Sequence, residues 1–192
     1  MISKNRTTRE TDISLDFELY GRAQTQIDTG IGFFDHMLSA LAKHAWIDLS
    51  LRCKGDLQVD FHHSVEDCGI VLGSAIKEAI YPAQNIERFG DSVVVMDEAA
   101  VSAALDFSNR AFLIFDCPSL KRGKIGKFDA ELVKEFFRAL AFNAGITLHL
   151  SQIRGENLHH VAEAAFKAFA VAFRRAVSIN ERAGVPSTKG VL

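Results

Sequence analysis

The sequence predicts an α/β fold of the α+β kind, a duplicated βα unit in which each half is a small mixed sheet with two helices packed on one face. Stretches with a two-residue polarity period precede stretches with a helical period, this order of elements occurs twice, and one histidine motif recurs at a fixed spacing. No linker separates the halves, so we expect a single domain over 1–192 made of two pseudo-repeats, about 1–88 and 89–192.

The first half contains alternating strands and two helices. Thr11–Leu19 alternates apolar and polar residues as a half-buried strand does, and Trp46–Leu51 alternates again. Phe33–His44 carries its apolar side chains on one helical stripe. A second helix is expected over Val65–Ile80, with Pro82 as its stop.

The second half repeats this order of elements. Asp91–Phe107 contains two β-like runs joined around Asp97 and Glu98, and a short apolar run follows at 112–115. Residues 131–142 are helical in pattern, 146–150 alternate as a strand, and 161–177 form an apolar, alanine-rich helix. The repeated order is the basis for the predicted duplication.

Composition excludes several classes of protein. The chain is 48% hydrophobic and 24% charged with a net charge of −2, which argues against a nucleic-acid-binding surface; its one dense basic cluster, 121–127, is expected to be a solvated loop. Three cysteines without a CxxC pair favour a reducing cytoplasm over a disulfide framework or a cysteine zinc site. No apolar run approaches the roughly 20 residues of a membrane span, and no export signal is evident.

A motif of two adjacent histidines and a glutamate four residues after the first occurs twice, 97 residues apart. On a helix, residues i and i+4 share a face, whereas i and i+1 diverge by roughly 100°. The first histidine of each pair can therefore join its glutamate on one ion while the second points elsewhere. The motifs predict two similar metal centres, one built on His62, Glu66 and His160 and the other on His159, Glu163 and His63.

Further ligands are suggested by the helix that precedes each motif. His36 in the first half corresponds to Glu135 in the second when a two-residue gap is allowed. Imidazole and carboxylate ligands without thiolate favour manganese, iron, zinc or cobalt. If only one motif were present, its histidines could equally be hydrogen-bonded structural residues and its glutamate a solvated helix residue. For Glu135 the alternative of a solvated helix residue stays open.

Candidate anion-binding residues lie beside turn-forming residues. Arg88 precedes Phe89 and Gly90, Arg110 follows Ser108 and Asn109, and Lys189 lies in the C-terminal 186–190 segment. Guanidinium groups bind phosphate in a bidentate manner, and hydroxyls complete such sites. Each residue alone is an ordinary surface charge, so a phosphate site requires the fold or a neighbouring subunit to gather them.

With these motifs the sequence resembles the imidazoleglycerol-phosphate dehydratase family. The similarity extends over essentially the whole chain in the family's order, and the paired histidine motifs are its most specific part. The matching stretches are Arg9-Glu10-Thr11, Gly32 to Leu38, Asp60 to Asp67, Arg88-Phe89-Gly90, Asp106 to Arg110, His159 to Phe169, and Pro186 to Leu192.

The resemblance implies two manganese ions per active site and a homo-oligomer of 24 subunits whose active sites are completed by neighbouring chains. Some members carry histidine at position 135, so the glutamate here leaves the affinity and metal preference of that centre open. The implied ligands are His36, His63, His159 and Glu163 for one ion and His62, Glu66, His160 and Glu135 for the other; the implied substrate contacts are Glu10, His44, Arg88, Arg110, Lys167, Ser187, Thr188 and Lys189.

The implied reaction is the dehydration of D-erythro-imidazole glycerol phosphate to imidazole acetol phosphate in histidine biosynthesis. The proton that is lost comes from a carbon with no adjacent carbonyl. Two Lewis acids beside the imidazole ring would favour an imidazolate, which expels the hydroxyl through a diazafulvene-like intermediate. As a hypothesis, Glu10 transfers the proton, with His44 as second candidate, and Arg88, Arg110, Ser187 and Lys189 anchor the phosphate.

Two other functions are compatible with the residues alone. A dinuclear metal hydrolase would attack a phosphate ester and release free phosphate. A non-catalytic assembly would use its metals only to tie subunits together and would turn over no phosphorylated imidazole.

Overall fold

The first half of the chain contains four strands and two helices. The computed structural model describes residues 1–81, 85–182 and 184. The elements of the first half are β1 (Ile2–Thr7), β2 (Thr11–Glu18), β3 (Thr25–Asp28), α1 (Gly32–Ala45), β4 (Asp48–Gly55) and α2 (His62–Ile80).

The second half follows the same order with one insertion. The insertion, between the third strand and the first helix of this half, is a short 3-10 helix and a two-stranded hairpin. The elements are β5 (Phe89–Met96), β6 (Ala99–Asp106), β7 (Phe112–Asp116), the 3-10 helix (Pro118–Lys121), β8 (Lys124–Ile125), β9 (Phe128–Asp129), α3 (Leu132–Ala144), β10 (Thr147–Arg154) and α4 (Leu158–Ala176).

The two main sheets have matching strand orders, β1-β2-β4-β3 and β5-β6-β10-β7. In each, the third strand of the half pairs in parallel with the fourth, and the other pairings are antiparallel. Two mixed sheets with two helices each confirm the predicted fold class. The predicted boundary between pseudo-repeats near residue 88 stays a prediction.

The helices connect the two halves. Helix α2 packs on α3, and α1 packs on α4. Gly69 and Gly73 on α2 allow its backbone to approach α3 closely, since a Cβ at these positions would lie 2.7 Å from the carbonyl oxygen of Phe136 and 2.6 Å from that of Leu140. The core therefore runs through both halves, and a cluster of buried phenylalanines on α3 and α4 lies within it.

The outer faces of the two sheets differ in polarity. On β2 the inward residues are apolar, whereas Asp12, Ser14 and Asp16 face outward. Large apolar side chains are exposed on the outward face at the edges of the second sheet, beside Asp91 and Asp116: Val93 and Val95 on β5, and Phe112 and Ile114 on β7.

Several element boundaries differ from the sequence predictions. Edge strands β1 and β3 are not predicted, because their sequences lack an apolar/polar alternation: the inward residues of β1 are Ile2, Lys4 and Arg6, and β3 has only Ile27 partly buried. Helix α2 begins at His62, three residues before the predicted start, so the whole motif is helical. Trp46 caps α1 with a left-handed backbone (φ 60°) instead of opening β4.

The three cysteines are buried as free thiols. Burial raises the pKa of the Cys117 thiol to about 12, so this side chain is not a reactive thiolate at neutral pH. No helix in the described ranges is both long enough and apolar enough to span a bilayer.

Candidate metal centres

A compact group of three metal-ligating side chains joins α1 to α4. We call His36, His159 and Glu163 the first cluster; their ligand atoms all lie within 4.8 Å of one another. The Nε2 atoms of His36 and His159 lie 3.3 Å and 3.1 Å from Oε2 of Glu163. The other oxygen of Glu163 accepts a hydrogen bond from Lys167 at 2.6 Å.

Local structure fixes the position of this cluster. His159 and Glu163 share a face because they are one helical turn apart on α4. The side chain of Asn157 caps the helix by accepting hydrogen bonds from the backbone N–H groups of His159 and His160. Burial would raise the pKa of Glu163, but the hydrogen bond from Lys167 and the surrounding positive charge lower it overall, which keeps the carboxylate ionised.

A second group lies at the corresponding place between α2 and α3. We call His62, Glu66 and Glu135 the second cluster. Nδ1 of His62 lies 3.8 Å from Oε2 of Glu66, so this cluster is looser than the first. The guanidinium of Arg138 contacts both carboxylates, at 3.5 Å from Glu66 and 3.2 Å from Glu135. A cavity of about 340 Å³ opens beside His62 and Glu135.

The remaining histidine of each pair turns away from both clusters. Nδ1 of His63 lies 3.0 Å from Oδ2 of Asp56, and its Nε2 lies 3.7 Å from Oε1 of Glu10. The hydrogen bond to Asp56 raises the pKa of His63.

His160 is held in a similar way. Its Nδ1 lies 2.7 Å from Oε2 of Glu98, and its Nε2 lies 3.7 Å from Oδ2 of Asp97. The hydrogen bond to Glu98 raises the pKa of His160. The hydrogen bonds from His160 and from the backbone N–H of Asn157 lower the pKa of Glu98 to about 2.

A single chain thus assembles part of each predicted centre. His36 joins one motif, and Glu135 lies beside the other, as their sequence positions suggested. Within the residues that the structure describes, His63 and His160 belong to neither cluster. The crossed arrangement of ligands is not completed inside one chain and stays a prediction.

Arg88 and Arg110, the two predicted anion-binding residues that the structure describes, lie far from the first cluster of their own chain. The Arg88 guanidinium binds Asp106 in a bidentate manner, and Arg110 approaches the same carboxylate at 3.7 Å. The backbone N–H of Arg88 donates to the carbonyl of Ala176 at the C-terminal end of α4. His159 is at the N-terminal end of this helix, about 25 Å away along its axis.

The other predicted substrate contacts that the structure describes are Lys167, Glu10 and His44. Lys167 contacts the first cluster, and Glu10 approaches His63. Burial, together with the positive charges of Lys167 and Arg174, lowers the pKa of His44. Ser187, Thr188 and Lys189 lie outside the described residues.

Four side chains at these sites were not predicted from the sequence. They contact either the two clusters or the second histidine of a pair, and they are Asp56, Glu98, Arg138 and Asn157. Asn157 has a sequence signal, because Asp60 precedes the first motif at the same distance and accepts a hydrogen bond from the N–H of His62. Arg138 also has one, because it lies one helical turn after Glu135 on α3. The contacts of Asp56 and Glu98 depend on tertiary packing and have no local signature.

The residues of the first cluster fit a divalent metal ion, because two imidazoles and an ionised carboxylate have ligand atoms within 4.8 Å of one another. The second cluster offers the same kinds of donor, one imidazole and two carboxylates, in a looser arrangement. Such nitrogen and oxygen donors suit manganese, iron, cobalt or zinc. Three protein ligands leave coordination positions for a substrate or a further histidine.

Comparisons with known proteins place the chain in one family. The family model for imidazoleglycerol-phosphate dehydratase matches residues 29–173. The imidazoleglycerol-phosphate dehydratase of Campylobacter hominis is 70% identical over the full length of both chains, and that of Wolinella succinogenes is 64% identical over 97% of each.

Solved structures agree with this assignment. The crystal structure of the Staphylococcus aureus imidazoleglycerol-phosphate dehydratase has 39% identity and a TM-score of 0.82, covering 93% of this chain and 98% of that one. The Pyrococcus furiosus IGPD in complex with (S)-C348 has 37% identity and the same TM-score, covering 98% and 100%. The chain therefore belongs to the imidazoleglycerol-phosphate dehydratase family, which comprises hydro-lyases of histidine biosynthesis.

Proposed function

We propose that the chain dehydrates D-erythro-imidazole glycerol phosphate to imidazole acetol phosphate with two manganese ions per active site. The observation that carries the metal proposal is the grouping of the first cluster's ligand atoms within 4.8 Å. The second cluster would hold the other ion. His63 and His160 would each complete a centre formed by another chain, His63 at a first cluster and His160 at a second cluster.

The separation between the anion-binding arginines and the first cluster supports an active site shared between chains. The two ends of α4 are about 25 Å apart, so one small substrate cannot bind to Arg88 and to His159 of the same chain. A substrate whose ring lies at the metals of one chain would therefore receive its phosphate contacts from another.

The outer face of the second sheet supports self-association. Val93, Val95, Phe112 and Ile114 are exposed on a face whose counterpart in the first half is polar. Exposed apolar surface of this kind is typical of protein interfaces. We propose a homo-oligomer of 24 subunits, working in the cytoplasm, where the three free thiols would remain reduced.

The chain's own residues have distinct roles in the proposed reaction. Bound manganese would supply Lewis acidity at the imidazole ring. Glu10 would transfer the proton at the substrate carbon, with His44 as second candidate. Arg88 and Arg110, together with Ser187 and Lys189, would bind the phosphate and fix the substrate's orientation. Lys167 keeps the Glu163 carboxylate ionised and so available to a metal.

Reconstitution of the purified protein with Mn²⁺ tests this function. We expect two ions per chain, an increase in particle mass, and formation of a ketone from imidazole glycerol phosphate. Release of free phosphate would instead indicate a hydrolase, and metal-dependent assembly without turnover would indicate a structural role. Either outcome would contradict the proposal.

Mixing two inactive variants tests whether active sites are shared. His159→Ala removes a first-cluster ligand, and Arg110→Ala removes a proposed phosphate contact. If one site uses these residues from different chains, dissociation and reassembly of a one-to-one mixture should restore about a quarter of the wild-type activity, because both contributions are intact in that fraction of sites. Activity that stays at the level of the separate variants would contradict a shared site.

A further inference from the structure

His63 and His160, the second histidine of each pair, are each contacted at Nδ1 by a carboxylate that belongs to neither metal cluster. Asp56, in the loop after β4, lies 3.2 Å and 3.0 Å through its two oxygens from Nδ1 of His63. Glu98, in the turn between β5 and β6, lies 2.7 Å from Nδ1 of His160. The two carboxylates come from different kinds of loop, yet they contact the same ring atom of pseudo-equivalent histidines.

These contacts determine which nitrogen can bind a metal. An ionised carboxylate only accepts hydrogen bonds, so Nδ1 must carry the hydrogen in each case. The lone pair of the neutral ring is then on Nε2. Metal-bound histidines commonly donate their other N–H to a carboxylate, which fixes the tautomer and the ring orientation.

The side chain of Glu98 and the backbone of Asp56 are themselves held in place. Oε1 of Glu98 accepts hydrogen bonds from the backbone N–H groups of Glu156 and Asn157, directly before α4. The backbone N–H of Asp56 donates to the carbonyl of Glu10, so the same residue orients His63 and anchors the loop of the proposed proton-transfer group. Groups fixed in this way can orient a ring.

We infer that Asp56 and Glu98 are positioning residues that present Nε2 of His63 and of His160 to metal ions bound by neighbouring chains. This inference rests on the proposed function, because it requires that the two histidines are ligands. It explains why neither histidine joins a cluster of its own chain, because each is oriented by a carboxylate to bind a metal ion of another chain.

Manganese titration of metal-free protein tests the inference without measuring activity. Glu98→Ala and Asp56→Ala should each weaken Mn²⁺ binding about 10- to 100-fold, the range expected when a group that orients a metal ligand is lost. Glu98→Gln and Asp56→Asn retain an oxygen that accepts from Nδ1, so they should remain within a few-fold of wild type. Glu156→Ala, an exposed neighbour in the loop before α4, serves as the matched control and should bind as wild type does.

The outcomes separate this inference from the proposed function. Wild-type protein that binds no Mn²⁺ overturns both. Normal binding by wild type and by both alanine variants overturns only the positioning role. Equal losses in the alanine and amide variants, with an equal fall in the melting temperature of the metal-free protein, would indicate a structural role and also overturn the inference.

Discussion

The two metal clusters lie at equivalent places in the fold but differ in how far their ligands are preorganised. In the first, the ligand atoms lie within 4.8 Å of one another around Glu163, a residue that is only 5% exposed. In the second, the carboxylates of Glu66 and Glu135 are bridged by the guanidinium of Arg138. The duplicated helices thus preserve the location of a site while its electrostatics have diverged.

This difference indicates an order of metal binding. An ion entering the first cluster finds Oε2 of Glu163 already facing two imidazoles, while Lys167 binds the other oxygen and need not move. An ion entering the second must displace Arg138, whose single charge lies between two carboxylates and partly neutralises them. We therefore expect the first cluster to bind manganese more tightly than the second.

A matched pair of substitutions tests this comparison, with the largest expected effect. Glu163→Gln should weaken the tighter of two Mn²⁺ sites by on the order of 100-fold, because removing a ligand costs at least as much as removing a group that orients one. Glu66→Gln should weaken the other site by only about 10-fold, because Arg138 already offsets that carboxylate. Isothermal titration or the free Mn²⁺ signal in electron paramagnetic resonance gives both affinities; equal losses would contradict the asymmetry.

The outer faces of the sheets offer a second contrast between the halves. Val95→Lys places a charge on the apolar face and should reduce particle mass severalfold, because burying an unpaired charge in an interface is costly. Ser14→Lys adds the same charge to the polar face of the first sheet and should leave the mass unchanged. Analytical ultracentrifugation gives the particle mass of the two variants. Dissociation of Ser14→Lys but not of Val95→Lys would show that the outer face of the first sheet, and not that of the second, forms the interface.

Removal of the bridging guanidinium should have the smallest effect. Arg138→Gln should strengthen Mn²⁺ binding at the second cluster by about 3- to 10-fold, the modest scale of a partly exposed ion pair. Arg122→Gln removes the same charge from the exposed basic loop and serves as the control. Unchanged or weaker binding in Arg138→Gln would show that the guanidinium does not compete with the metal.

The fold and the clusters were predictable where the signal is local. Helical periodicity identified the α-helices α1 to α4, and the i, i+4 spacing placed His159 with Glu163 on one face. The resemblance to the family supplied the proposed roles of Glu10 and Arg110. Strand β3 escaped prediction because four residues at a sheet edge carry too little pattern.

Tertiary contacts account for what the sequence could not provide. Glu98 and His160 are 62 residues apart, and Arg138 and Glu66 are 72 apart. No spacing rule connects such positions, because their proximity depends on how α4 packs on β5 and how α2 packs on α3. The orientation of the second histidine in each pair also depends on tertiary contacts. Helical geometry predicts that it points away from the first histidine but does not predict which residue it contacts.

Both clusters lie where the two halves of the chain meet, since α1 and α4 contribute to one and α2 and α3 to the other. Neither half can bury its helices without the other, so the chain should unfold in a single cooperative transition. A ligand that binds only the folded chain at these contacts stabilises the whole molecule by an amount that rises with its affinity and its free concentration. Metal supply would then govern how long the protein survives proteolysis as well as how fast it works.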